Sequence, residues 1–294
     1  MLKPKVKDLK FMEQLAPFPD LPDDLKQEMF EAAAYLDLTE GLKLSTLSQA
    51  VRRWLLPIIF SVISIVEIKG KFQANLIQRR GHYIRHLRIS LWSASDVKWL
   101  RYTPNVENLV LLGVEGNSPA IIDYITNFKL RRISADISLL APYLDQATFS
   151  GLTHFDIHMD HRTWSSPWYD ALIVLPSLTH LAVSGYQDSG VIKAVLTKCP
   201  NLVTFVIHSL TSRITSPLRT ERDPISEDAY GFAFGTKKLH LCGDPRVVVI
   251  MTDSLLKSWK IGARGGDDYW RVAERIVQYR LQSGEENLER EEQS

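Results

Sequence analysis

One apolar pattern, apolar-x-x-apolar-x-apolar, recurs six times through the middle of the chain. Its copies begin at Ile84, Val106, Leu130, Leu152, Leu178 and Leu202, with starts 22, 24, 22, 26 and 24 residues apart. Apolar and polar residues alternate within each copy, so each predicts one short strand with an apolar face. A weaker copy, Phe60-Ser-Val-Ile63-Ser-Ile65, comes before them, and a degenerate one, Leu239-His-Leu241, comes after. Most units carry a second apolar cluster: Trp99 and Leu100; Ile121, Ile122 and Ile125; Leu139 and Leu140; Leu172 and Ile173; Val191, Val195 and Leu196. These predict helical or irregular arms that return the chain to the next strand. Strand and arm together bury a continuous core only when units stack, which is the logic of a repeat architecture.

The period lies within that of leucine-rich repeats. The expected fold class is therefore α/β: a leucine-rich-repeat-like solenoid, a parallel sheet with returning arms, over residues 58–251. Within it, residues 209–238 are polar and rich in Pro and Gly, which predicts a long insertion. Val247 to Met251 predicts a short buried strand.

The flanks follow a different period. Residues 1–20 are charged and interrupted by proline, a loose leader. Residues 21–57 predict a helical block: Pro22 suits a first turn, and Leu25, Met29, Ala32 and Leu36 fall on one stripe. Thr39 is the expected cap of a second helix, and Pro57 its expected stop. Residues 252–282 predict two helices joined by Gly262-Ala-Arg-Gly-Gly266, with Asp267 capping the second. In that helix Trp270, Ala273, Ile276, Val277 and Leu281 share a side. The acidic, polar residues 283–294 predict a disordered tail.

Composition narrows the function classes. Thirty-five basic against 34 acidic residues, a net charge of +1, gives no basic excess for nucleic acid or a membrane surface. The greasiest stretch, Leu55 to Ile68, contains Pro57, Ser61, Ser64 and Glu67 and is too short to span a bilayer. Two cysteines, Cys199 and Cys242, form no disulfide framework. No signal-like apolar run opens the sequence, so a cytoplasmic and/or nuclear location is expected.

Leu21-Pro22-x-x-Leu25, then Met29-Phe30, Leu36-Asp37, Leu42-x-Leu44, Leu47-Ser48, Val51 and Trp54 resemble the F-box motif. The whole of residues 21–282 is similar to the F-box and leucine-rich-repeat proteins abundant in basidiomycete fungi. That likeness includes Asp244-Pro245-Arg246-Val247 and the Gly265-Gly266-Asp267-Asp268-Tyr269-Trp270 section. The resemblance implies that the helical block binds a Skp-type adaptor of a cullin ubiquitin ligase, while the repeats hold the protein to be ubiquitinated. Carried onto this chain, the adaptor contacts are Leu21, Pro22, Leu25, Leu47, Val51 and Trp54. A stand-alone scaffold that no longer binds the adaptor is the alternative.

With the first residue of each copy counted as 0, positions 2, 4 and 6 define the second face of the sheet. There Arg132, His154, Asp156, His158, His180 and His208 form one expected patch, with Val110, Leu112 and Val206 as aliphatic anchors. This mixture suits protein recognition. His154, Asp156, His158 and His180 also look like metal ligands. A structural zinc site needs four fixed ligands with support, however, so exposed sheet residues are the preferred reading, with no metal or cofactor. No Gly-x-Ser-x-Gly, His-Glu-x-x-His or phosphate-binding Gly-x4-Gly-Lys-Ser/Thr motif occurs, which points to a protein that is not an enzyme.

Overall fold

The structure, a computed structural model, describes residues 21–65, 71–90, 94–112, 118–158, 168–184, 187–210, 243–252 and 254–292. The expected leader and most of the expected insertion, together with Leu239-His-Leu241 and Cys242, lie outside the described residues. The chain divides into two units, Met1–Ile59 and Phe60–Ser294.

In the first unit, α1 spans Asp23–Leu36, α2 Leu38–Leu44 and α3 Gln49–Ile59. Asp37, not Thr39, caps α2: its carboxylate accepts from the Thr39 amide at 2.7 Å. Ser48 caps α3, its hydroxyl accepting from the Val51 amide at 3.2 Å. Proline does not stop α3 at Pro57, because in the last turn it forfeits only one i→i−4 bond, and the helix closes on the buried Ile58 and Ile59.

The packing face of α1 also differs from the expected stripe. Ala34 is fully buried, and a Cβ on the buried Gly41 would stand 2.7 Å from the Ala34 Cβ. Two small residues thus let α1 and α2 approach almost backbone to backbone. Phe30, one turn before Ala34, meets Trp54 of α3 at 6.3 Å between ring centroids. This close contact turns Leu25, Met29, Ala32 and Leu36 outward, and Leu36 is 89% exposed.

The second unit is built on eight parallel strands in sequence order: β1 Val62–Ile65, β2 His86–Ser90, β3 Asn108–Leu112, β4 Arg132–Asp136, β5 His154–His158, β6 His180–Ser184, β7 Thr204–Leu210 and β8 Val247–Thr252. Every strand from β2 to β7 opens at position 2 of its copy, and like positions pair: Leu87 with Leu109, Phe155 with Leu181, Leu181 with Phe205. One backbone device repeats with them. The Arg85 carbonyl accepts from both the Glu107 and Asn108 amides, at 2.9 and 3.1 Å. The carbonyls of Ser61, Glu107, Arg131, Thr153 and Thr179, at the same position of their copies, do likewise. Each unit is thereby latched to the next before its strand begins, and backbone groups at the strand entrance are satisfied.

The apolar positions of these strands point to one side. There they form a single core with Ile77, Trp99, Ile121, Ile125, Leu140, Leu172 and Val195 of the returning connections. Those connections include α4 Lys71–Arg80, α5 Ser118–Ile125, α6 Ile137–Leu140 and α7 Ser189–Lys198, with 3-10 turns at Ala94–Tyr102 and Trp168–Val174. Of the paired residues Leu172 and Ile173, only the first is buried. Asn105 and Asn201, each following a proline, donate to the carbonyls of His82 and Pro176 one unit earlier, at 2.7 and 3.1 Å.

Two helices end the chain: α8 Leu255–Ala263 and α9 Tyr269–Glu292. The second continues well past Ser283, where composition predicts a disordered tail. Its Trp270, Ala273 and Val277 share a side as expected, whereas Leu281 is exposed. Among the described residues no helix is long and apolar enough to cross a membrane.

Candidate functional site

The strand pairing brings the expected patch together. Arg132 lies beside His154, His154 beside His180, and Ser134 beside Asp156. The patch is nevertheless not an open surface, which corrects the sequence reading. His208 is 0% exposed, Asp156 5% and His180 7%. The cause is the row of small and aliphatic residues that completes this face: Ala182, Val206, Val248 and Ile250. Tyr269, Trp270, Ala273 and Val277 of α9 pack on that row. Pairing of β7 with β8 sets Val248 beside Val206 and Ile250 beside His208, so the isolated aliphatics become a stripe.

Beneath the cover, Asp156 is the centre of a polar cluster. Its Oδ2 accepts from Ser134 Oγ at 3.0 Å and from the Tyr269 hydroxyl at 3.2 Å. His158 Nε2 lies 2.6 Å from Ser134 Oγ and 3.6 Å from the carboxylate, and His208 Nε2 lies 3.9 Å from Oδ1. Burial alone would raise the Asp156 pKa. The charge and hydrogen bond of His158, with help from His208 and Ser134, outweigh burial and hold it at about 2. His158 moves the other way: burial disfavours its proton, but Asp156 more than compensates and its pKa is raised. Burial, then Asp156, pushes the Tyr269 hydroxyl well above its usual range, so it remains a donor.

Ser134, His158 and Asp156 look like a nucleophile relay, but the geometry lacks its order. The carboxylate bonds the serine itself and lies on the Nε2 side of the imidazole, where a relay needs it at Nδ1. Having donated its only proton to Asp156, Ser134 accepts from His158. The cluster fixes structure rather than preparing an attack.

A second ion pair anchors the start of α9. Arg132 Nη1 donates to Asp268 Oδ2 at 3.1 Å, and Asp268 Oδ1 accepts from the Arg271 amide at 3.1 Å. Asp268, not Asp267, is therefore the cap, while Asp267 pairs with Arg275 at 2.6 Å on the surface. The glycines of the α8–α9 turn are now explained: a Cβ on Gly262 would lie 2.1 Å from Asp268 Oδ2, and Gly265 has φ +80°. Nearby, Trp259 of α8 donates to Asn108 Oδ1 at 3.2 Å. A cavity of about 60 Å³ lies there, lined by Arg88, Asn108, Val110, Trp259 and His154 among others.

The histidines expected to share the patch separate into two groups. His154 and His180 stack, with ring centroids 4.1 Å apart and planes 3° from parallel, and both meet Trp270 edge-on. His180 Nε2 lies 2.8 Å from Glu274 Oε1 of α9. Burial, then His180 and Arg132, depress the His154 pKa to about 2, and burial outweighs Glu274 in lowering that of His180. Sequence reasoning missed Asp268, Tyr269 and Glu274 as partners of this face; the one signal for them is their place on the edge of α9 that carries Trp270.

In the helical unit, Pro22, Leu25 and Leu47 are exposed, and Leu21 and Trp54 are half-buried. Val51 is 6% exposed and belongs to the packing rather than to a docking face. No family model matches this chain, and no curated protein matches it.

Proposed function

We propose that the chain is a non-enzymatic receptor, an F-box-like helical unit followed by a leucine-rich-repeat solenoid. The helical unit recruits a Skp-type adaptor of a cullin ubiquitin ligase, and the repeat unit holds the target. The observation that carries this reading is the outward apolar set of the helical unit: Leu25 44%, Met29 58%, Leu36 89%, Leu42 49% and Leu47 65% exposed. Single exposed apolar residues are ordinary, but five within so short a stretch suit a protein-binding face. The copies paired in register and the carbonyl latch between successive units support the solenoid. Since α9 covers His154, Asp156, His180 and His208, the target contacts move to the part of that face left more open. These are Ser64 and Arg88, joined at 3.1 Å, with His86 and Ser90.

The test is capture of a purified Skp-type adaptor by the full chain. Leu25→Glu combined with Leu47→Glu is expected to abolish capture while the far-ultraviolet circular dichroism stays unchanged, since both side chains already face solvent. Wild-type chain that fails to capture the adaptor at micromolar concentration would end the ligase reading. It would leave the stand-alone scaffold, which the burial of Val51 favours.

A further inference from the structure

We propose that the cavity beside Arg88 receives the carboxylate of an acidic side chain, so that the repeat unit binds Asp- and Glu-rich segments of its partner protein. This deepens the receptor reading by naming the chemistry of the segment held, and it rests on that reading for the place of the target.

Arg88 is set apart by its lack of a counter-charge. Elsewhere in this unit Arg85 pairs with Glu107, Arg132 with Asp268, Arg246 with Asp244, and Arg275 with Asp267. Among the described residues Arg88 meets no carboxylate; its Nη1 donates to Ser64 Oγ at 3.1 Å. Its Nε is buried without a hydrogen-bond partner. Ser64 thus occupies one end of the guanidinium. The opposite edge, Nε with Nη2, is the fork that holds a carboxylate through two parallel hydrogen bonds. A half-buried cation that meets only a hydroxyl is poorly compensated for its lost water, and an anion corrects that.

The cavity supplies the room. Arg88, Asn108, Val110, Leu112, Leu256 and Trp259 line part of its volume of about 60 Å³. At roughly 30 Å³ per water, that is space for two waters or one carboxylate head. Apolar walls strengthen an ion pair formed between them. A single guanidinium in so small a space matches the one charge of a carboxylate better than the larger charge of a phosphate. Two carboxylates also line the cavity, but neither competes for Arg88. Asp268 is taken by Arg132 at 3.1 Å. Asp156 accepts from Ser134 and Tyr269. The register Arg88–Val110–Ser134–Asp156 also sets it three strand spacings away, roughly 14 Å.

A second observation extends the site along α8. Leu256 lines, besides the cavity, a more open hollow with Lys257, Lys260 and Arg264. Three and four residues apart, these cations share one side of the helix. All three are exposed, and among the described residues none pairs with a carboxylate. The chain as a whole carries a net charge of only +1, so the row is a local feature. A segment leaving the cavity over Leu256 meets it, and further Asp or Glu residues find their counter-charges there.

The test is fluorescence anisotropy of a labelled peptide of alternating Glu and Ser, titrated with the full chain. Melting temperature and adaptor capture are measured on every variant. Binding is expected to weaken with added salt, and a Gln-Ser peptide is expected not to bind. Arg88→Gln is expected to weaken binding at least ~10-fold, and Arg88→Lys, which keeps the charge but loses the fork, at least ~3-fold. Lys257→Gln combined with Lys260→Gln, at side chains that already face solvent, is expected to cost roughly 3-fold. Lys193→Gln, exposed on α7, is expected to change nothing. Failure of the Glu-Ser peptide to bind at high micromolar concentration overturns the proposal, as does binding that Arg88→Gln and Arg88→Lys leave unchanged. Tighter binding of a Gln-phosphoserine peptide also overturns it, by assigning the cavity to phosphate. Adaptor capture keeps the two readings apart: a chain that captures adaptor and ignores the acidic peptide loses this inference alone. One that binds the peptide and not the adaptor loses only the ligase reading.

Discussion

Leu87, Leu109, Ile133, Phe155, Leu181 and Phe205 run side by side across one face of the sheet, buried by the connection that follows each strand. Across the other face run Arg132, His154, Asp156, His180 and His208, several of them buried as deeply. The segment that buries these lies far along the chain: Tyr269 bonds Asp156 across 113 residues and Asp268 bonds Arg132 across 136. Burial by a sequence neighbour leaves a periodic apolar signal. Burial by a distant helix need not, because polar residues tolerate it where the helix brings partners, as Tyr269 does for Asp156 and Asp268 for Arg132.

The comparison breaks most sharply at Phe155, fully buried on the first face. Phe155→Ala is expected to cost ~3–5 kcal/mol in denaturant unfolding, through lost transfer energy and the cavity left behind. Ile173→Ala, at a side chain 59% exposed, is expected to stay within about 0.5 kcal/mol. Equal costs at the two positions would mean that the core does not lie where the strand pairing puts it.

The same contrast explains what the sequence made legible. The six strands from β2 to β7 were readable as one strand per copy, although each opens two residues after its copy begins, and β8 was readable as a short apolar run. The outward polar columns were readable as a contiguous set. Their burial was not, since Val248 and Ile250 reach them only after the chain has passed residues 211–242, and Glu274 only through α9. In the helical unit the apolar stripe of Leu25, Met29, Ala32 and Leu36 is not the face that packs. Ala34 and Gly41 decided that contact instead, and small residues leave little mark on a hydrophobic pattern.

A smaller effect is expected where the distant cover is fastened. Gly262→Ala drives a Cβ to within 2.1 Å of Asp268 Oδ2 and 2.7 Å of its Cβ. Asp268 cannot swing aside without releasing both Arg132 and the Arg271 amide, so the expected cost is ~1–3 kcal/mol. Gly265→Ala meets no atom within 4 Å but carries φ +80°, and should cost ~1 kcal/mol from backbone strain alone. Thermal unfolding with tryptophan fluorescence separates them: only the first should also loosen the surroundings of Trp270. If both variants lose the same stability with unchanged Trp270 fluorescence, Asp268 does not hold α9 in place.

The smallest effect distinguishes a buried polar residue from a buried apolar one by its response to acid. His208 is sealed between β7 and α9. Its ring is edge-on to Tyr269 at 4.5 Å, Asp156 lies 3.9 Å away, and His158 is the nearby like charge. Burial lowers its pKa, and His158 adds to this, while Asp156 only partly opposes it. The unfolded chain therefore takes up a proton below about pH 6.5 that the folded chain refuses. By linkage the unfolded state gains, and stability falls as pH drops through that value. His86, His154 and His180, whose pKa values burial also lowers, add to that loss, whereas His158, with its raised pKa, acts in the opposite sense. Melting temperature measured between pH 7.5 and 5.5 is expected to fall, and His208→Gln is expected to flatten part of that fall, since glutamine keeps a polar side chain but does not titrate. An unchanged slope in the variant would mean that the His208 ring takes up its proton in the folded protein, and hence that water reaches it beneath α9.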